Sequence, residues 1–503
     1  MFGDILSEER ITFKSLEENV FGIACEIANE IMKNLLEEYD KQLMETRDKA
    51  RYRHKGYETT TLKTKTGLVE YRRTKYLETL EDGSKKCTYL TDETLEIKNV
   101  GQISSGLIDL VVKNIKEVSF RACSETINNC TGINISSVGV WNIIQKLGQE
   151  IKKNEKAKVL AHSEDRLQAG TKETPVVYCE ADEICIYTQG KLRKEQIKKY
   201  EQEHPDEEVP KRVRNIALKM GMTYEGWKQI GTNRFALVGK EYVSGYMTGE
   251  EMGEIIAANL HSKYDMSKVE LKVLNSDGAS WIKQLLMAEM IHQADNFHIR
   301  EKISVMVREP EDVDVLKEMF FKREYKEMIE YVEFLKYKYD GECEEIDKLN
   351  KLKKYLEKRQ DSIARYNDNP DVKKKLIQFS KKTGLKYKNM GCQESNNYSV
   401  LTRRFKHRRM SWSKNGSENL AKVITTYASE SCSDIMSSLE LQTLPEEFID
   451  YAEKHIREIE ENIKRKKLNS KHLGYEMKQG TLSVSSGIRD ILKCRPISEL
   501  AYR

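Results

Sequence analysis

From residue 13 to 50 apolar side chains recur every three or four positions. Leu16, Val20, Ile23, Ile27, Ile31, Leu35 and Tyr39 form one stripe, which predicts a long amphipathic helix. Alternation then replaces that spacing. Thr60, Leu62 and Thr64 lead through Lys65-Thr66-Gly67 into Leu68-Val69-Glu70-Tyr71-Arg72, and Glu81-Asp82-Gly83-Ser84 precedes Cys87-Thr88-Tyr89-Leu90. Strand-like runs punctuated by Gly-containing turns predict a small hairpin module. Helical spacing returns over 105–148, and the polar stretch 149–173 reads as a linker.

From Pro175 the pattern is that of strands. Residues 176–182 and 184–187 read as two strands joined at Asp182-Glu183. The charged excursion 191–211, a solvated loop or helix, interrupts the hairpin. Strand character resumes at 213–220, a helix follows at 250–263 and a strand at 269–274. Trp281, Leu285, Leu286 and Met290 have helical spacing, and 290–294 is a short strand. The order β-β-β-α-β-α-β predicts a ribonuclease-H-like layer fold. Residues 310–388 break this rhythm with an all-helical block, 416–446 are helical again, 447–470 form a charged helix and 471–503 a mixed tail.

The expected architecture is therefore a mixed, multidomain α+β and α/β chain. An N-terminal hairpin and helical region covers 1–150. A catalytic core occupies 174–309 and 389–446, interrupted by the 310–388 helical insertion, and a charged helix and tail complete it at 447–503.

Composition narrows the class. With 33% charged and 39% hydrophobic residues and only 7 prolines among 503, the chain suits a helix-rich protein of modest cores. A net charge of +4 is too small to argue for nucleic acid by itself. Its distribution argues more: Arg403-Arg404-Phe405-Lys406-His407-Arg408-Arg409 and Lys464-Arg465-Lys466-Lys467 concentrate the basic residues. Solvated helix faces carry such runs too. The 10 cysteines form no Cys-x-x-Cys, so reduced thiols, a cytoplasmic setting and no zinc ribbon are expected. No stretch reaches the roughly 18 apolar residues of a membrane span.

Two motifs carry chemistry. Ser119-Phe120-Arg121-Ala122-Cys123-Ser124-Glu125-Thr126-Ile127, the turn Thr131-Gly132-Ile133-Asn134 and a helix capped by Ser136 match a helix-turn-helix. An ordinary helical hairpin has the same pattern. In the first reading Val140, Trp141 and Ile144 pack inward, while Ser137, Asn142, Gln145 and Lys146 face DNA.

The second motif is a trio of acids. Asp277 follows the apolar run Lys272-Val273-Leu274-Asn275-Ser276 and precedes Gly278. That places a carboxylate at the C-terminal tip of a strand, where open α/β sheets hold their chemistry. Asp182 closes another apolar run and Glu394 precedes a basic helix. Three carboxylates from distant segments suit a hard divalent cation, although a turn aspartate and a helix-capping aspartate explain Asp182 and Asp277 equally well one at a time. Asp295-Asn296-Phe297-His298 adds a histidine able to contact phosphate or orient a group.

Asp182, Asp277-Gly278-Ala279-Ser280-Trp281, Asp295-Asn296-Phe297-His298 and Glu394 resemble the DDE transposases of the Mutator-like group. More closely, the chain resembles the ISLre-type transposases of bacterial insertion sequences. The likeness spans nearly the whole chain, including Glu180-Ala181-Asp182 and Arg409-Met410-Ser411-Trp412-Ser413. Glu183 stands where the family often has Gly, and Ser395-Asn396 where some members have Gly-His.

The resemblance implies a ribonuclease-H-like core with Asp182, Asp277 and Glu394 holding two Mg²⁺ (or Mn²⁺) ions, and Asp277 bridging them from the more central strand. It implies metal-assisted cutting and joining of DNA strands. Arg403, Arg404, Lys406, Arg408 and Arg409 would grip the backbone of double-stranded DNA, and the N-terminal region would read the element's ends. A homo-oligomer, at least a dimer on DNA, is implied, and no membrane. A DNA-binding regulator with an inactive core, and a nuclease without strand transfer, remain open as alternatives.

Overall fold

The computed structural model describes residues 12–80, 83–95, 102–285, 289–339, 341–406, 410–431 and parts of 449–461. The described residues form a mixed α/β molecule with three sheets.

The first element among the described residues is α1 (Phe13–Thr46), capped by the Thr12 side chain and Ser15 in a reciprocal box, which satisfies otherwise unpaired amides. Its second half buries Leu35, Leu36 and Tyr39. The strands β1 (Tyr52–Thr64), β2 (Gly67–Thr79) and β3 (Lys85–Thr88) pair antiparallel, as the predicted hairpin module requires. Gly67, at φ +138°, makes the β1–β2 turn that a side chain would strain. The short α2 (Leu90–Thr94) closes this unit.

Next come α3 (Ser105–Ile115), α4 (Phe120–Cys130) and α5 (Ser137–Ser163), capped by the hydroxyls of Ser104, Ser119 and Ser136. The predicted linker at 149–173 is a helix as far as Ser163. Its Lys, Glu and Ala residues are good helix formers with little to bury.

Residues 176–187 are a single twelve-residue strand, β4 (Val176–Tyr187), not two joined at Asp182-Glu183. The excursion is a solvated helix, α6 (Gly190–Glu203), with no buried residue. Then come β5 (Asn215–Tyr224), the ribbon β6 (Gly226–Gly231) with β7 (Arg234–Val238), β8 (Glu241–Gly245), α7 (Gly249–Lys263), β9 (Leu271–Ser276) and β10 (Met290–Ala294). The expected helix after β9 is a short 3-10 helix, Ser280–Leu285.

The five-stranded sheet has the order β10-β9-β4-β5-β8. β4, β9 and β10 run parallel, whereas β5 and β8 are antiparallel to their neighbours. β4 is therefore the central strand, which corrects the expectation that Asp277 springs from it. Side chains from one face of this sheet join α3, α4, α5 and residues 401–424 in one core, and the other face packs on α7.

The insertion comprises α8 (Asn296–Met306), α9 (Pro310–Lys322), α10 (Tyr325–Lys338), α11 (Cys343–Glu357) and α12 (Pro370–Thr383). α8 to α11 enclose a core of their own. The chain returns through α13 (Gln393–Asn397), α14 (Arg403–Lys406) and α15 (Lys414–Ala428), the last packed on α5 and β8. The expected continuation of this helix to 446, and the tail beyond 461, lie outside the described residues. No helix among the described residues is long and apolar enough to cross a membrane.

Candidate active site

The sheet aligns three aspartates. Ser276 on β9 pairs with Ala181 on β4 and with Ala294 on β10. The next residue on each strand is an acid: Asp182, Asp277 and Asp295. Three adjacent parallel strands thus carry a carboxylate at one level, at the C-terminal ends of β9 and β10.

Asp182 senses the other two acids. Burial pushes the Asp182 carboxyl above the usual carboxylate range, and the charges of Asp277 and Asp295 push it further, while the Glu183 amide and His298 pull it back. His298 lies with Nε2 3.7 Å from an Asp295 oxygen and Nδ1 3.6 Å from Glu301. Burial, together with Asp277 and Asp182, also raises the carboxyl of Glu183 against the opposing pull of Lys219. An excess of carboxylate over cation in a half-buried place favours neutralisation by protons or by a divalent ion. The donors are all oxygen and hard, which fits Mg²⁺ or Mn²⁺ better than soft metals. Among the described residues, no three His, Cys, Asp or Glu side chains form a group that could hold an ion in this structure.

Each acid is held by a different neighbour. Asn397 Nδ2 donates to Asp182 Oδ2 at 2.7 Å. The carbonyl of Asp277 accepts from Arg359 Nη2 at 2.6 Å and Nε at 3.2 Å, and its Oδ1 accepts from the Ala279 amide at 2.8 Å. Gly278 sits at φ +79°, with the Arg359 guanidinium 2.8 Å from where a Cβ would stand. The positive φ favours glycine there, and a side chain would displace the guanidinium. Asp295 caps α8, and its amide donates to the Ser276 carbonyl at 2.7 Å.

Glu394 reaches this neighbourhood through a buried carboxylate that sequence reading left without a role. Glu180 is fully buried on β4, two residues before Asp182 and on the same face. Its oxygens accept from Tyr224 Oη (2.7 Å), Asn275 Nδ2 (3.1 Å) and the amides of Gly391, Cys392 and Gln393. Burial pushes the Glu180 carboxyl up, and these donors oppose the shift. The amides pin the start of α13 to the sheet. Glu394 follows, exposed, one helical turn before Asn397. Asp182, Asp277, Asp295 and His298 are thus brought together, and Glu394 sits on the short helix beside them. A π-turn, Tyr398–Thr402, follows that helix; such turns are frequent at functional sites.

Strand alternation could have singled out Glu180, because residues two apart share a face. Asn397 and Arg359 left no sequence signal, since their partners lie 215 and 82 residues away.

The expected DNA-facing residues divide. Val140 and Ile144 are buried as predicted, but Trp141 is exposed. Asn142 and Lys146 are exposed and Ser137 is half-buried. Gln145 is buried, accepting from Asn419 Nδ2 at 2.8 Å, so it faces α15 rather than solvent. Arg404 is also buried: its Nε donates to the Ile115 carbonyl at 2.8 Å, and the guanidinium lies over Phe120 and Trp412. It ties α14 to α3 instead of meeting a ligand. Arg403 pairs with Glu117, and Lys406 is exposed. Arg408 and Arg409 lie outside the described residues.

Comparison with known proteins gives relatives of one kind. A UPF0236 protein of Caldanaerobacter subterraneus subsp. tengcongensis is 25% identical over 439 residues, covering 84% of this chain and 79% of the relative. A second from the same organism is 24% identical over 432 residues, with 84% and 79% covered, and its name joins eleven serial designations. The profile described as "Uncharacterised protein family (UPF0236)" matches residues 6–432, so the chain belongs to that family.

Proposed function

We propose that the chain is a DDE-type transposase that cuts and joins DNA strands with divalent metal ions. The observation that carries this reading is the row of aspartates at one level of β4, β9 and β10. The sheet supports it: β4, β5 and β8 antiparallel, then α7 and the parallel strands β9 and β10, are compatible with a ribonuclease-H-like core, and the helical insertion lies between the second and third acids of this reading. A relative whose name joins eleven designations suits a sequence present in many copies, as a mobile element is.

In this reading Asp182, Asp277 and Glu394 hold the metal. When bound, two ions would activate the attacking oxygen and stabilise the leaving 3′-oxygen. The chain's own residues set the geometry. Asn397 turns the Asp182 carboxylate, Arg359 fixes the backbone beneath Asp277, and Asp295 steadies α8 and His298, which faces the cluster as a contact for phosphate. No Ser or Tyr nucleophile is required. The α4–α5 pair serves as a helix-turn-helix, presenting Asn142 and Lys146 to the element's ends, and Lys406 with Arg403 contacts the backbone of double-stranded DNA. Pairing two ends calls for at least a dimer.

The test is cleavage of labelled DNA carrying the element's ends, with Mg²⁺ or Mn²⁺ against chelator, for wild type and Asp277→Asn. Cutting at the boundary that the variant loses is expected. End binding without cutting in both proteins overturns the proposal in favour of a regulator with an inactive core, and cutting without joining reduces it to a nuclease.

A further inference from the structure

An open groove of about 500 Å³ lies between α12, the 365–368 turn, β7 and the segment 386–389. Five cations line it: Arg323, Arg365, Lys373, Lys386 and Lys388. The single acid in its lining, Asp368, is already engaged, 2.5 Å from Arg323 and accepting from the Arg365 amide. Among the described residues Lys373, Lys386 and Lys388 form no ion pair, and Lys388 instead rests 3.6 Å over the Phe235 ring. Residues 370–389 hold seven lysines and one acid, in a chain whose net charge is only +4. Such local crowding of one sign raises the potential of a concave surface and attracts a polyanion.

Both walls of the groove lead into the aspartate row. Asn389, in the lining, runs through Met390 to Gly391, whose amide binds Glu180. Three residues before Arg365, the Ser362 carbonyl accepts from the amide of Ala294, which precedes Asp295. A strand held in the groove is therefore tethered close to the acids. The aromatic rings of Phe235 and Tyr387 and the amide of Asn389 in the same lining are side chains that suit sugar and phosphate contacts.

We propose that this groove binds the sugar-phosphate backbone of duplex DNA beside the cutting site, as a sequence-independent contact distinct from the N-terminal helix pair. The inference deepens the transposase reading and rests on it for the identity of the polyanion.

The experiment measures binding of the full chain to a short random-sequence duplex over a series of salt concentrations. The variants are Lys373→Ala/Lys386→Ala/Lys388→Ala and, as a control of equal charge, Lys191→Ala/Lys194→Ala/Lys198→Ala on the exposed face of α6. All six lysines are exposed, so neither variant disturbs a core. The groove variant is expected to bind at least about tenfold more weakly near 0.1 M salt, with the log–log salt slope reduced by roughly two to three, while the control stays close to wild type. Arginine at the three groove positions restores binding.

Unchanged affinity and slope in the groove variant, equal losses in both variants, or no DNA binding by wild type overturns the proposal. Wild type that binds through the groove but cuts nothing with Mg²⁺ leaves the groove standing and removes the transposase. Wild type that cuts, beside a groove variant that binds normally, does the reverse.

Discussion

At the scale of single residues, the candidate site depends on side chains that hold its acids in place. Asn397 donates the hydrogen bond that orients Asp182. Partners of metal-binding groups typically contribute 10- to 100-fold to activity. Asn397→Ala should lower metal-dependent cutting by about that factor with DNA affinity unchanged, and a fall in affinity instead would assign Asn397 to DNA contact. His292 supplies a pH test of the sheet beside the acids. Its Nε2 lies 2.9 Å from Ser276 Oγ, and burial first, then Arg359 and Lys283, hold its pKa below the usual imidazole value. Between that lowered pKa and the unfolded value of about 6.5, the unfolded chain binds the extra proton. Stability must therefore fall as pH drops through this window and level off below it. His292→Gln should remove that slope from urea midpoints measured across the window, and a slope that persists in the variant refutes the assignment. Asp277 was legible because a short apolar strand ends at an acid followed by glycine. Glu394 gained its place from Glu180, more than two hundred residues earlier, through amides that no local pattern reveals.

At the scale of elements, long-range packing overrode local preference. Asp182 and Glu183 disfavour strand, and a turn was the natural expectation. Ten successive pairs with β5 carry β4 straight through them, whereas the six with β9 end at Ala181. The start of α5 was legible from Ser136, but its length was not, because the polar second half has no apolar stripe to announce it. Gly148 marks where α5 crosses α15, with Asn419 Cα 2.5 Å from the position a Cβ would take. Alanine is intrinsically better in a helix by about 1 kcal/mol. Here the obstacle is backbone, so Gly148→Ala must push two helices apart and should lose about 1–3 kcal/mol net, read from denaturant midpoints. A rise in stability would show that the crossing relaxes freely.

At the scale of the whole molecule, α8 to α11 gather around a core of their own beside the acid end of the sheet, whereas α12 joins the sheet's core through Leu376 and Phe379. α8 to α11 have their own apolar core, so they need little from the sheet to stay folded. Polar stitches between insertion and sheet include Arg359 on the Asp277 carbonyl, the Ala294 amide on Ser362, and Tyr366, whose amide donates to Gln293 and whose hydroxyl meets Tyr178. Arg359 is the one that touches an acid-bearing turn directly, and its ring contact with Tyr355 and bond to the Tyr355 carbonyl root it in the insertion. Its planar fork gives the Asp277 carbonyl two donors at once, which a lysine cannot reproduce. Arg359→Ala should therefore leave the helical content and the insertion's core intact while the turn at Asp277-Gly278 loosens. Cutting should fall by about 10- to 100-fold, Arg359→Lys should recover only part of it, and amide exchange should quicken at 277–279 but not within α10 or α11. Full activity in Arg359→Ala would mean that the insertion merely sits beside the acids. Exchange quickening across the insertion would mean that its core depends on the sheet after all.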